Sequence, residues 1–243
     1  MPKKLEGHPS SATIRAQLKE IDLPVLVAFS AGKDSIATSL ALKEAGLKTH
    51  LVYLYAIPGK EPGTTLGFIE DTLSDLEDSL GQTIHRYPHI SFWRKMNSFM
   101  FQPPERLSII EAAHMPEPDY VDMWDAIKRD LGIPEKSYTA DGVKASDSVA
   151  RRISVMRFGM MKPHLRKCSP IGDWLKADVM EIMDRHGIEL PIDYKWFGRS
   201  FDGISYSFLK PISENAPEDY QRILDWFPLA ELELFRYDQI GQQ

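Results

Sequence analysis

From residue 24 onward, short apolar runs alternate with stretches in which apolar residues recur every three or four positions. The runs VLVAF at 25–29 and THLVYLY at 49–55 are typical of buried strands. The stretches between such runs are typical of amphipathic helices. This alternation predicts an α/β fold, namely a Rossmann-like, doubly wound parallel sheet covered by helices.

Further elements are predicted from the same signals. Apolar residues from Leu66 to Leu80 recur at intervals of three and four, which predicts a helix over 64–81. Strands are expected at 83–87, 136–143 and 167–171, and helices at 35–46, 148–159 and 174–187, the last capped by Asp173. The chain therefore alternates strand and helix up to about residue 190.

The pattern divides the chain into three predicted parts. Residues 1–23 form an N-terminal segment, and residues 24–195 form the α/β domain. Prolines interrupt residues 95–135 of that domain, so we expect a helical insertion there. Residues 196–243 are predicted to be an irregular, helical C-terminal extension.

Composition limits the partners, the metal sites and the cellular location that we expect. The net charge of −6 does not match nucleic acid over the whole molecule, so any anion site must be local. The single cysteine, Cys168, excludes an intrachain disulfide and any all-cysteine metal cage. The N-terminus lacks the apolar core of a signal peptide, and no run of 18 apolar residues occurs. We therefore expect a cytoplasmic protein with no membrane contact.

The stretch FSAGKDS at 29–35 carries candidate chemistry. A strand, a turn of small residues and a helix start bring backbone N–H groups and the helix dipole to one point, which favours a phosphate. The stretch does not fit the Walker A pattern, because Val27 stands where its first glycine should be and Asp34 follows the lysine.

This stretch resembles the PP-loop of ATP pyrophosphatases, usually SGGxDS, which holds the pyrophosphate end of ATP while the α-phosphate is attacked. The resemblance implies a HUP-type fold and nucleotide contacts from Ser30, Ala31, Gly32, Lys33, Asp34 and Ser35, with Asp34 also a ligand of Mg²⁺. Ala31 replaces a family glycine. Because alanine resists positive φ, we expect the turn to use ordinary backbone angles or Gly32 alone.

A second motif, GVKASDSVARR at 142–152, resembles the G-[IL]-R-x-x-E-S-x-x-R signature of the phosphoadenosine phosphosulfate (PAPS) reductase-like family. The positions that match are Gly142, Lys144, Asp147, Ser148 and Arg151, and Arg152 follows them as a further nucleotide contact. Lysine replaces arginine and aspartate replaces glutamate, which keeps the charges but shortens their reach. Seven Lys or Arg residues against one acid between residues 142 and 167 support a local anion site.

The cysteines of true PAPS reductases are missing, because no cysteine follows Cys168 and the chain ends in LFRYDQIGQQ. Thiosulfonate chemistry needs a thiolate, so the sequence argues against reductase activity. Cys168, in RKCSP, is expected to be a buried small side chain. The resemblance and the missing ligands together predict ATP and Mg²⁺ as cofactors, with neither an iron–sulfur cluster nor zinc.

Two interpretations of function remain open. The first is an adenylating enzyme, a nucleotidyltransferase or ATP pyrophosphatase, in which Lys33, Asp34 and Arg151 are catalytic. Its acceptor would be sulfate, a flavin or a nucleic-acid-linked group, in sulfur or DNA-modification metabolism of a bacterial or phage-infected cell. The second is a non-catalytic nucleotide-binding module that regulates a DNA-acting protein partner. The intact Asp34 and Ser35 favour the enzyme.

Overall fold

The computed structural model describes residue 5 and residues 7–240, without the side chains of residues 238–240. Its described part contains a six-stranded sheet with the order β3-β2-β1-β4-β6-β5. The strands are β1 (Val25–Ala28), β2 (Thr49–Tyr55), β3 (Ile84–Pro88), β4 (Thr139–Ala140), β5 (Met161–Lys162) and β6 (Lys167–Cys168). The strand order reverses at β1, as it does in doubly wound folds.

Strand β1 lies in the middle of the sheet and pairs in parallel on both sides. Val27 lies opposite Leu51 of β2 and opposite Ala140 of β4. Strand β6 continues the parallel pairing next to β4, and β5 pairs antiparallel with β6, as an edge strand. The predicted α/β fold with a doubly wound, largely parallel sheet is confirmed.

Twelve helices accompany the sheet. They are α1 (Ser11–Ile21), α2 (Lys33–Glu44), α3 (Gly67–Leu80), α4 (Ile90–Asn97), α5 (Pro104–Ala112), α6 (Tyr120–Asp130), α7 (Val149–Phe158), α8 (Lys176–Arg185), α9 (Ile192–Phe197), α10 (Tyr206–Asn215), α11 (Pro217–Trp226) and α12 (Glu231–Ile240). Helices α5 and α6 lie within the predicted helical insertion at 95–135, and α10 to α12 lie within the predicted helical extension at 196–243. None of the helices in the described part of the chain is long and apolar enough to span a bilayer.

The chain divides into two compact units, and the first consists of residues 1–53, 76–85 and 124–190. Its core lies on β1, where Val25, Leu26 and Val27 are fully buried. Helix α2 follows β1 and buries Ile36 and Leu40. Burial of this kind stabilises the fold by about 1.5–3 kcal/mol for each large side chain. The unit thus gives a rigid base to the residues that follow β1.

The second unit consists of residues 54–75, 86–123 and 191–243, and aromatic side chains form its core. The rings of Phe197 and Phe208 lie 5.0 Å apart, and Phe68 packs on Trp196 at 5.1 Å. Aromatic contacts of this kind add about 0.5–1.5 kcal/mol to the burial of apolar surface. The domain boundaries predicted along the chain remain predictions.

Some predicted elements differ from the structure. Helix α1 was not expected, although Ser10 caps it by accepting from the Thr13 N–H. The strand predicted over 136–143 is two residues long, because only Thr139 and Ala140 pair with both neighbours. Asp173 does not cap α8. Its carboxylate accepts from the N–H of Ser11 at 3.1 Å, and helix α8 begins at Lys176.

Candidate functional site

The loop at residues 30–35 follows β1 directly and opens α2. Phe29 N–H still donates to Val52 at 2.9 Å, so the sheet holds the chain up to the first residue of the loop. Ala31 then adopts φ 56°, in the left-handed region, whereas Gly32 has φ −83°. The prediction that Ala31 would avoid positive φ is therefore wrong. Alanine pays about 1–2 kcal/mol there, which the contacts of the loop must offset.

Ser35 supplies those contacts. Its hydroxyl donates to the Gly32 carbonyl at 2.9 Å and accepts from the Ser30 N–H at 3.1 Å. The Ser30 hydroxyl lies 3.3 Å from the same oxygen. Ser35 is buried and Ser30 is exposed, so Ser35 closes the loop from inside. Its position favours an organising role, although it was predicted to contact phosphate.

The N-terminus of α2 is open to a ligand. Gly32 is the N-cap residue and has no side chain to accept from the first N–H groups of the helix. Helix α2 is 12 residues long, so its dipole adds a partial positive charge at this end. Backbone donors and dipole together favour an anion here.

Two lysines meet at the Asp34 carboxylate. Lys33 Nζ lies 2.9 Å from Asp34 Oδ2, and Lys144 Nζ lies 2.6 Å from Asp34 Oδ1. Lys144 also lies 2.8 Å from Asp147 Oδ1 and is only 2% exposed. The ion pair between Asp34 and Lys144 thus links the two sequence motifs. Two ammonium groups and two carboxylates balance each other in charge.

The backbone of residues 141–147 is shaped to reach Asp34. Gly142 lies so close that a Cβ at this position would be 2.9 Å from the Asp34 carbonyl carbon. The Lys144 N–H donates to Asp147 Oδ2 at 2.9 Å, which closes a short turn. Glycine at 142 is therefore required by this close approach, and its nucleotide contact remains a prediction.

Asp141 and Ser169 were not identified from the sequence. Asp141 follows β4 directly, and its carboxylate accepts from Ser169 Oγ at 2.7 Å and from Val143 N–H at 3.2 Å. These bonds fix the start of the turn that carries Lys144. The available signal was an acidic residue at the end of a strand, immediately before the motif glycine.

The second half of the motif lies at the start of α7. Ser148 caps α7 by accepting from the Arg151 N–H at 3.1 Å. Arg151 and Arg152 are exposed on α7, and among the described residues neither guanidinium has an ion-pair partner. The catalytic role of Arg151 and the nucleotide contacts of Ser148, Arg151 and Arg152 remain predictions.

The other cations of the basic stretch are used in separate ways. Arg166 pairs with Asp125 and Glu135, both at 3.0 Å. Arg157 and Lys162 lie over the ring of Phe158. Arg166 is therefore already neutralised by carboxylates within the protein.

Cys168 is buried in β6 and is 1% exposed, as predicted. Burial, and next the charge of Asp141, raise the pKa of its thiol well above the ordinary value. A thiol of this kind stays protonated at neutral pH and makes a poor nucleophile.

Comparison with known proteins gives no family assignment. No protein-family model matches the chain, and no curated protein matches it. Among solved structures, the fold compares with the U34-tRNA thiolase NcsA from Methanococcus maripaludis, at a TM-score of 0.42 and 12% sequence identity. The likeness covers 90% of this chain and 79% of the thiolase. At this identity and score it carries no argument about activity.

The comparison corrects the cofactor prediction, which was ATP and Mg²⁺ without an iron–sulfur cluster or zinc. The thiolase carries a [4Fe-4S] cluster, which contradicts the expectation of no cluster. This chain has a single cysteine. The likeness to the thiolase is too weak to assign its cluster to this chain. Across residues 7–240, no group of three His, Cys, Asp or Glu side chains is arranged to hold a metal ion. We assign no cofactor to the chain.

Proposed function

We propose that this protein is a PP-loop ATP pyrophosphatase, which cleaves ATP between the α- and β-phosphates and transfers the adenylyl group to an acceptor. The observation that supports this most is the pair of lysines at one carboxylate. Lys33 and Lys144 lie 2.9 Å and 2.6 Å from the two oxygens of Asp34, at the uncapped N-terminus of α2. Positive charge and backbone donors thus converge where a phosphate chain would bind.

The reaction needs no nucleophile from the protein. An oxygen of the acceptor attacks the α-phosphorus, the bond to the α–β bridging oxygen breaks, and pyrophosphate leaves with the electron pair of that bond. Negative charge then builds up on the leaving pyrophosphate and on the oxygens around phosphorus. Lys33 and Lys144 would stabilise that charge as their contacts pass from Asp34 to the phosphates.

Asp34 has a positioning role in this proposal. Without nucleotide, its carboxylate holds both ammonium groups in place, so they need little reorganisation when ATP arrives. The turn at residues 141–147, fixed by Asp141 and Gly142, holds Lys144 from the other side. Arg151 is the third proposed charge-stabilising group.

The PAPS reductase-like family is the branch that we propose within this superfamily, because GVKASDSVARR supplies the buried Lys144 and its partner Asp147. Reduction of a sulfonucleotide is not part of the proposal, because the single thiol is buried and its pKa is raised. Sulfate, a flavin and a nucleic-acid-linked group are the acceptors to compare. We keep the cytoplasm of a bacterial or phage-infected cell as the expected location.

A nucleotide-binding module without turnover is the second candidate, as a regulator of a DNA-acting partner. One observation favours it: the Arg151 side chain has no ion-pair partner among the described residues and is not directed to the loop by any contact there. A module would bind ATP through Lys33 and Lys144 and release no pyrophosphate. The two candidates thus make the same prediction for binding and opposite predictions for products.

Calorimetric titration tests the shared part of the proposal. ATP should bind at least about tenfold more tightly than AMP, because the loop holds the pyrophosphate end. Lys33→Gln should weaken ATP binding by about tenfold and leave AMP binding nearly unchanged. Lys48→Gln is the matched control, since Lys48 is exposed and outside the loop. Equal affinities for ATP and AMP would exclude a site for the phosphate chain.

A further inference from the structure

A second cationic cluster lies in the unit made of residues 54–75, 86–123 and 191–243. Its members are His89, the N-cap residue of α4, and the adjacent Arg94 and Lys95 in the last turn of that helix. Lys95 is half-buried and Arg94 is exposed. Among the described side chains, neither cation has a carboxylate at ion-pair distance. Lys95 is thus a partly buried cation that no described carboxylate pairs with directly.

His89 adds a third donor to this cluster. Its Nδ1 accepts from the Ser91 N–H at 3.0 Å and lies 2.6 Å from Ser91 Oγ. In the neutral ring the proton is therefore on Nε2, which lies 3.4 Å from the Tyr120 hydroxyl. Burial, and next the charges of Lys95 and Arg94, lower the pKa of His89. The ring thus presents a neutral N–H donor.

The carboxylate whose charge acts on Lys95 is paired with another cation. Asp202 acts on Lys95 through its charge, but its carboxylate is bound to Arg199. Burial has the larger effect and lowers the pKa of Lys95. The cluster therefore bears a desolvation cost that no described carboxylate offsets directly. An anionic ligand would offset it.

Tyr120 gives the cluster a flat aromatic surface. The Arg94 guanidinium lies 5.8 Å from the centre of the Tyr120 ring, and the His89 ring lies 5.7 Å from it. Tyr120 is 44% exposed, so a planar ligand group can reach it. Guanidinium, ammonium and imidazole donors beside an exposed ring suit a phosphate attached to an aromatic base.

We propose that His89, Arg94, Lys95 and Tyr120 form a second binding site, for a phosphate carried by a nucleotide or by a nucleic-acid strand. Arg94 and Lys95 contact the phosphate oxygens, His89 Nε2 donates to a third oxygen, and Tyr120 stacks on the attached base.

Direct titration of the full chain tests this site. The probes are inorganic phosphate, thymidine 5′-monophosphate and a short single-stranded oligothymidylate, each followed by calorimetry and by NMR. Arg94→Gln/Lys95→Gln should weaken binding of the tightest probe by at least about tenfold. The single variant Lys95→Arg, with Arg94 unchanged, should keep most of the wild-type affinity because it keeps the charge. Lys48→Gln is the matched charge control. Unfolding midpoints measured in parallel verify that each variant is folded.

The outcomes separate the two sources of phosphate. Tighter binding of the monophosphate supports a free nucleotide as the ligand of this cluster, whereas tighter binding of the oligothymidylate supports a nucleic-acid strand. Affinities that are the same in the double variant and in the wild type would overturn the proposal, as would no binding of any probe. Failure of ATP to bind in a separate titration would contradict the proposed adenylyl transfer. The phosphate titration still decides whether the cluster is an anion site.

Discussion

Lys144 and Lys95 are both withdrawn from water, but their surroundings are opposite. Lys144, in the unit that contains the phosphate loop, lies within 2.8 Å of two carboxylates, Asp34 and Asp147. Lys95, in the other unit, lies beside Arg94 and His89, and the carboxylate of Asp202 is bound to Arg199. The first ammonium is compensated within the protein, whereas the second is not.

This difference shows how charge and function are related at the two positions. A compensated lysine stabilises the fold and is pre-positioned, so a ligand must compete with its carboxylates for it. An uncompensated, half-buried lysine costs folding free energy and gains that cost back on binding an anion. Removal of a charge should therefore have opposite effects on stability at the two sites.

The largest effect is expected when the carboxylate is removed from the first site. In Asp34→Ala, Lys33 and Lys144 lose the carboxylate that positions them both, and Lys144 keeps its contact with Asp147. Pyrophosphate release should fall at least about a hundredfold, because the positive charge is no longer preorganised. ATP affinity should not fall, because a competing negative charge is removed.

Steady-state pyrophosphate release and calorimetric ATP affinity, measured together, verify this split. Asp147→Asn is a useful comparison, since it removes the second carboxylate of Lys144 and leaves the loop carboxylate intact. Weaker ATP binding with unchanged turnover in Asp34→Ala would contradict a positioning role.

The next effect concerns stability at Lys144. Lys144→Met should destabilise the fold by about 2 kcal/mol, because two carboxylates lose their shared partner. The cost is smaller than for a fully buried pair, since both carboxylates are about one-third exposed. Urea unfolding with an unchanged m-value measures it. A stabilised variant would show that this ion pair does not hold the two motifs together.

A smaller loss is expected at the closest backbone contact of the site. Gly142→Ala puts a Cβ 2.9 Å from the Asp34 carbonyl carbon and 3.0 Å from its oxygen. The backbone must shift, which should cost about 1–2 kcal/mol of stability and reduce ATP affinity. Gly203→Ala is the control, because no atom lies within 4 Å of a Cβ built there. Equal stability of both variants would contradict a tight approach.

The smallest effect should have the opposite sign. Lys95→Met should leave stability unchanged or raise it by about 0.5–1 kcal/mol at neutral pH, because a partly desolvated charge is removed. Folding lowers the pKa of Lys95 below its ordinary value of 10.5. Below the folded pKa, the wild type therefore bears the whole free-energy cost of burying the charged ammonium. The advantage of the variant should therefore shrink as pH rises toward 10.5. Denaturant unfolding at several pH values verifies it, and a destabilised variant at neutral pH would contradict it.

Much of the fold was predictable, because long periodic segments carry a strong signal. Strand β2 matches its predicted range of 49–55. Strands β4, β5 and β6 have two residues each, which is too short for any period to appear. Helix α10 contains Pro211, which breaks the helical pattern that it otherwise follows. Local signals therefore find long elements and miss short or interrupted ones.

The charged residues of the candidate site were predictable from the sequence, whereas its backbone conformation was not. The two motifs supplied Lys33, Asp34, Lys144 and Asp147, which the structure brings together. The positive φ of Ala31 was not predictable, because hydrogen bonds of Ser35 with residues 30 and 32 override the preference of alanine. Nor does the motif determine where Arg151 points, since its neighbours on α7 are exposed.

The identity of the phosphate product tests the central claim most directly. ATP labelled in the α- and γ-phosphates is incubated with the full chain and with sulfate, a flavin mononucleotide or single-stranded DNA, and the products are separated by chromatography. Our account predicts pyrophosphate together with an adenylylated acceptor, in equal amounts, and only when the correct acceptor is present. Formation of ADP and inorganic phosphate, or tight ATP binding without pyrophosphate release across all three acceptors, would contradict it.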